Sequence, residues 1–140
     1  MYRRILVALD GSEAARKALQ AALVLARTHG ARLHALGVEE RLPRYAATVG
    51  EVEEAKEEQN SFFAQVMDWA QRLAAEQGVP LTTEVRTGHA AQQIVRTARE
   101  GGFDLIVLGA KGHSRIHDFL LGSTTDRVID HAPCSVLVVR

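Results

Sequence analysis

Strand-length apolar runs alternate with stretches of helical period along the chain. Residues 3–9, "RRILVAL", form the first apolar run, closed by Asp10-Gly11-Ser12. Residues 13–30 follow with Leu19, Ala22, Leu23 and Ala26 on one helical face and Gly30 as a stop. Residues 32–38, "RLHALGV", predict a second strand, weakened by Gly37. Residues 39–50 have no period, contain Pro43 and Gly50, and predict a loop. From Glu51 to Gln77, Val52, Ala55, Phe62, Val66, Trp69 and Leu73 mark the inner face of a long helix stopped by Gly78 and Pro80. Residues 81–86 predict a third strand, 90–100 a helix with Ala91, Ile94, Val95 and Ala98 inward, and 104–109 a fourth strand. A short helix over 123–131 and a last strand over 135–139 complete the series.

Strands this apolar have no wet face, and their alternation with helices predicts an α/β fold with a parallel sheet covered on both sides. Right-handed crossovers restrict it to a doubly wound sheet. The expected order is 3-2-1-4-5, with 2-1-3-4-5 as the alternative. In such sheets ligands bind beyond the carboxyl ends of the strands, where the winding reverses. With order 3-2-1-4-5 that point lies between strands 1 and 4, so Asp10-Gly11-Ser12 and Gly109 meet at one crevice.

The stretch "GAKGHSRIHDFLLGST" leaves the fourth strand with glycines at 109, 112 and 122. Glycine supplies positive φ and permits close approach to the backbone. Ser123-x-x-Asp126 resembles a capping box with aspartate in place of Glu or Gln. A helix start offers unsatisfied N–H donors and partial positive charge, so donors near Gly112 and Gly122, with the Ser123 and Thr124 hydroxyls, would surround a phosphate. The plainer alternative makes the glycines loop and cap residues only. No G-x-x-x-x-G-K-[ST] and no G-x-G-x-x-G after the first strand occurs, which removes the P-loop and the dinucleotide fingerprint.

The glycine pattern, G-x2-G-x9-G-[ST] read as Gly109, Gly112, Gly122 and Ser123, resembles the nucleotide-binding branch of the universal stress protein family. "RILVALDGSE", "DLIVLGAKG" and "LLGSTTDRVIDHAPCSVLVVR" match that family's opening, fourth-strand and closing segments, so the likeness covers the chain. The resemblance implies one Rossmann-like, adenine nucleotide alpha hydrolase-like domain over 1–140 that binds ATP and forms homodimers. By position it implies that Ala8, Leu9 and Asp10 line the adenine or ribose end and that Val38 packs on the adenine. Leu108 and Gly109 would contact base and ribose, and Gly112, Gly122, Ser123 and Thr124 would hold the phosphates. Family members often carry Ser and a basic residue or His between the first two glycines; here Ala110 and Lys111 stand there. Branches lacking the motif do not bind ATP.

Individual residues have other readings. Asp10 can serve as a cap for the first helix, and Ser123 as the cap of the last. His113 and His117 have a spacing that can serve a metal, without an evident third ligand. No metal ligand is therefore assigned to the protein, and Mg²⁺ is expected on the nucleotide phosphates. His113 or Arg115 can lie near the phosphates. Residues 51–58, "EVEEAKEE", read as a solvated helix start. Phe62, Phe63 and Trp69 read as packing residues, not base-stacking ones, and Cys134 as an inert, partly buried thiol.

Composition narrows the partners. Lys+Arg and Asp+Glu both total 17, so the formal net charge is zero, which argues against nucleic acid. No apolar run approaches the ~20 residues of a membrane span, and Asp10 interrupts the N-terminal run where a signal peptide would need small residues. A cytoplasmic location is expected. The apolar last strand, 135–139, predicts a two-fold homodimer through a sheet edge, as does the resemblance. The expected function is a nucleotide-dependent sensor or regulatory module of stress response. The alternatives are a slow ATPase or phosphotransferase, for which no general base and no catalytic residue is assigned, and a ligand-free dimerisation module. "EVRTGH" excludes a receiver-domain acceptor after the third strand, and "DGSEAA" excludes the S-G-G-x-D-S of pyrophosphate-forming enzymes.

Overall fold

The computed structural model describes residues 1–40, 49–110 and 122–140. Its elements alternate: β1 (Arg4–Ala8), α1 (Glu13–His29), β2 (Arg32–Glu39), α2 (Val49–Glu76), β3 (Leu81–Thr87), α3 (Ala90–Glu100), β4 (Leu105–Gly109), α4 (Ser123–His131) and β5 (Ser135–Val139). All four strand pairings are parallel, in the order β3-β2-β1-β4-β5. The alternative order is thereby excluded. One row across the sheet reads Thr83, Ala35, Val7, Val107 and Leu137.

Two apolar clusters sandwich the sheet. On one face Ile5, Val7, Leu33 and Val107 pack against Leu19 and Leu23 of α1 and Val66 and Met67 of α2. On the other, Leu6, Leu36, Ile106 and Leu108 meet Ile94 and Val95 of α3 and Val128 of α4. Truncating one of these fully buried leucines to alanine costs about 2–5 kcal/mol in comparable cores. The change of face between α2 and α3 places the winding reversal between β1 and β4.

α1 shows why local chemistry was readable. Ser12 caps it, its Oγ accepting from the Ala15 N–H at 3.1 Å, and Gly30 ends it in the left-handed region at φ 63°. Asp10 is not the cap: its Oδ1 accepts from the Ser12 N–H at 2.9 Å, a turn that presents Ser12 to the helix.

α2 departs from the reading of its inner face. Phe63 is buried and Phe62 is exposed, so the face is set by Phe63, Val66, Met67, Ala70 and Ala74. Gly37 explains the shift. A Cβ there would stand 2.6 Å from Phe63 Cδ1, so the missing side chain lets the ring settle on β2, which continues to Glu39. β2 and α2 also shorten the predicted 39–50 loop from both ends; its residues 41–48 lie outside those described.

Asp104 joins the start of β4 to β1, its carboxylate accepting from the N–H groups of Arg3 and Arg4 at 2.9 and 3.1 Å. Burial pushes this carboxyl up, and those N–H donors outweigh it, holding Asp104 below its ordinary value. Cys134 is half-buried. Burial, with the Asp104 charge adding, pushes its thiol above the ordinary value and keeps it protonated.

Candidate functional site

A cleft of about 810 Å³ opens at the carboxyl ends of the strands, over the junction of β1 and β4. That size lies within the usual range for small-molecule sites, roughly 300–1,000 Å³. Ala8, Leu9 and Asp10 enter from β1 and the turn after it, Val38 from β2, and Leu108 and Gly109 from β4. Gly122, Ser123 and Thr124 enter at the start of α4. Nine of the ten residues singled out from the sequence thus line one cleft. The tenth, Gly112, lies outside the described residues, as do Lys111, His113, Arg115 and His117.

Gly122 is the N-cap of α4, at φ −64° and ψ 155°, and among the described residues no side chain caps the helix. The expected Ser123-x-x-Asp126 capping box is therefore absent: Ser123 is the first helical residue. Asp126 N–H donates to the Gly122 carbonyl, the first bond inside the helix, and Gly122 N–H donates to Ala110 O, both at 3.0 Å. The N–H groups of Ser123, Thr124 and Thr125 precede that ladder, and none has an acceptor among the described residues. Three backbone donors and the positive end of the helix dipole are left at the cleft wall. Thr125, buried beneath them, donates its hydroxyl to Gly109 O at 3.0 Å and ties α4 to the end of β4.

Gly109 and Gly122 do not use the positive φ that glycine allows. Gly109 serves close packing instead, against the first turn of α1. Gly11, which the sequence reading left aside, has φ +80°.

The opposite wall was not read from the sequence. Glu40 follows β2, and Ala55, Glu58, Gln59 and Phe62 of α2 face the same space, with Ala90 and Ile94 of α3. Apolar strand ends and α2 thus form one side and the open helix start the other. The only sequence signal for α2's part was the Phe62-Phe63 pair, and helical period alone assigned the wrong ring to the core.

A larger cleft, about 1,120 Å³, wraps the amino-terminal ends of β2 and β3, away from the winding reversal. Four of its polar residues satisfy one another, with Glu100 at the edge of the network. His34 Nε2–H donates to Glu84 at 2.9 Å while Nδ1 lies 2.6 Å from Thr82 Oγ1, and Arg86 Nε donates to Glu84 at 2.7 Å and reaches Glu100 at 3.6 Å. Among the described residues no group of three or more His, Cys, Asp or Glu comes together, and no helix is long and apolar enough to cross a membrane.

A cleft at the switch point of a 3-2-1-4-5 parallel sheet, faced by the start of α4, defines a Rossmann-like α/β class. The chain belongs to the Universal stress protein family, which it matches over residues 1–140. It is 34% identical over 148 residues to Universal stress protein YxiE of Bacillus subtilis, with all of both chains covered. It also resembles the solved structure of universal stress protein UspA from Lactobacillus plantarum, at TM-score 0.91 and 36% identity over 99% of this chain and 98% of that one. A universal stress protein in complex with cAMP shares the fold at TM-score 0.77 and 23% identity, over 99% and 97% of the two chains. Two more share it at 16% and 23% identity: an Arabidopsis thaliana protein with AMP bound (TM-score 0.73; 98% and 90% covered) and one from Archaeoglobus fulgidus with dAMP (TM-score 0.67; 99% and 98% covered).

Proposed function

We propose that the cleft binds an adenine nucleotide, ATP with Mg²⁺ on its phosphates, and that the protein is a nucleotide-dependent sensor or regulatory module of stress response in the cytoplasm. The observation that carries this reading is the uncapped start of α4. Its N–H groups at Ser123, Thr124 and Thr125, which have no acceptor among the described residues, suit phosphate oxygens, while Ala8, Val38 and Leu108 offer an apolar bed for a base. Adenine nucleotides in three fold neighbours support the ligand class. Asp10, Leu9 and Gly109 would meet the sugar and base, and Gly112, Gly122, Ser123 and Thr124 the phosphates. Mg²⁺ would supply charge neutralisation on the phosphates and retain several waters.

The same reading includes a homodimer through β5, which pairs with β4 on one side and is the last strand of the sheet. Calorimetric titration with ATP, ADP, AMP and cAMP tests the ligand, with Gly122→Val beside wild type. Saturable heat with wild type, lost when a β-branched side chain crowds the helix start, is the expected result. No heat with any nucleotide leaves a ligand-free dimerisation module. Phosphate released from Mg-ATP at a steady rate would move the protein to the slow ATPases.

A further inference from the structure

Phe62 and Phe63 are consecutive on α2, and two glycines distant in sequence receive their rings. Gly37 of β2 makes room for Phe63, as described, and Gly11, in the turn after β1, makes room for Phe62: a Cβ at Gly11 would overlap Phe62 Cζ and stand 3.2 Å from Cε1. The rings meet edge to face, centroids 5.3 Å apart and planes at 82°. Their surroundings differ. Both line the cleft, but Phe63 is 7% exposed and packs into the core, whereas Phe62 is 43% exposed.

An aromatic ring whose tip abuts a bare backbone, and which meets a second ring edge to face, is fixed without being buried. The ring is planar and apolar and lines the cleft whose other side carries the helix-start donors. A ligand spanning the two has a flat ring at one end and an anion at the other. We propose that Phe62 is the stacking platform for the nucleotide base, positioned by Phe63 and by the absence of a side chain at Gly11. This rests on the nucleotide reading of the cleft and deepens it. It reverses the expectation that Phe62 is only a packing residue. Stacking on a single ring distinguishes base-bearing ligands from bare phosphate chains.

The chain has one tryptophan, Trp69. In a Trp69→Phe background, Phe62→Trp makes the cleft residue the only indole, and its emission reports stacking directly. ATP is expected to quench it saturably and inorganic triphosphate to leave it unchanged. In the otherwise native chain, Phe62→Leu should weaken ATP binding by about tenfold, in line with base–aromatic stacking elsewhere, and leave triphosphate binding within about twofold. Unchanged indole emission in a variant that calorimetry shows binding ATP overturns the platform and spares the nucleotide site. Equal weakening of ATP and triphosphate by Phe62→Leu also overturns it, since the ring would then merely support the cleft wall. A wild-type protein that binds no adenine nucleotide removes both readings.

Discussion

Gly109, the last residue of β4, lies directly against Ala14 in the first turn of α1: a Cβ at Gly109 would stand 2.6 Å from the Ala14 carbonyl carbon and 2.7 Å from its oxygen. The obstacle is backbone, which cannot rotate away as a side chain tip can. The strand that carries one lip of the cleft and the helix that follows the other are therefore locked at van der Waals distance. Gly109→Ala should force them apart and destabilise the protein by about 1–3 kcal/mol, the usual range for overpacking. Urea denaturation would measure it. A midpoint equal to wild type would mean that α1 slides without cost and that Gly109 serves only the cleft.

The start of α4 permits a test that separates amide from hydroxyl. Ser123 is the first helical residue, its N–H has no acceptor among the described residues, and Gly122 before it is extended at ψ 155°. Proline is accepted at this position, because the lost N–H was unpaired and the preceding residue already has the conformation proline demands. Ser123→Pro should leave thermal stability nearly unchanged and weaken ATP binding by about tenfold or more, the scale of one hydrogen bond to a charged group. Ser123→Ala is the control, removing the hydroxyl alone. Full ATP affinity in the proline variant would take this amide out of the phosphate site.

The two walls of the cleft differed in legibility for a physical reason. The β1–β4 side is built from chain-local signals: an apolar run, an Asp-Gly-Ser turn, and glycines before a helix, each visible within a few residues. Handedness and apolar strands narrowed the sheet to a doubly wound one, with 3-2-1-4-5 expected and 2-1-3-4-5 open until the strand pairing decided it. The α2 side depends on which of two adjacent rings turns inward, and that is decided by Gly37 and Gly11, on other strands and turns. Helical period spans both rings equally well. The capping box failed similarly: Ser123 and Asp126 have the right spacing, but Gly122 takes the cap position because its N–H is drawn to Ala110 O. Spacing proposes such pairs, and neighbouring backbone selects among them.

At the far end of the sheet Glu84 joins His34 and Arg86. Burial alone would raise its carboxyl, but the hydrogen bonds and charges of Arg86 and His34 prevail and hold it below its ordinary value. A carboxyl lowered by folding stabilises the native state above the unfolded-state value, about 4.3 for a glutamate, and that contribution fades as pH falls through the folded-state value. Glu84 is a third exposed, so solvent limits the effect to about 1 kcal/mol or less. Glu84→Gln should lower stability modestly at pH 7, and its curve should converge on wild type in acid below the ordinary carboxylate range. Denaturation at a series of pH values checks this. A gap that persists undiminished at pH 2 would assign the loss to shape instead of charge.

β5 offers the sharpest test of the homodimer. Val139 O accepts from Ala110 N at 2.8 Å, so residue 139 directs its backbone groups toward β4. Backbone direction alternates along a strand, which turns Val138 N–H away from β4, to the edge where no further strand pairs among the described residues. Leu137 is 37% exposed nearby. Val138→Pro removes a donor that the monomer does not use, and proline is tolerated on edge strands when its position faces outward. The variant should keep its fold by circular dichroism and sediment as a monomer, whereas wild type is expected to sediment as a dimer. If both sediment as dimers, the subunits associate through another surface; if wild type is itself monomeric, the edge stays unpaired and the homodimer is withdrawn.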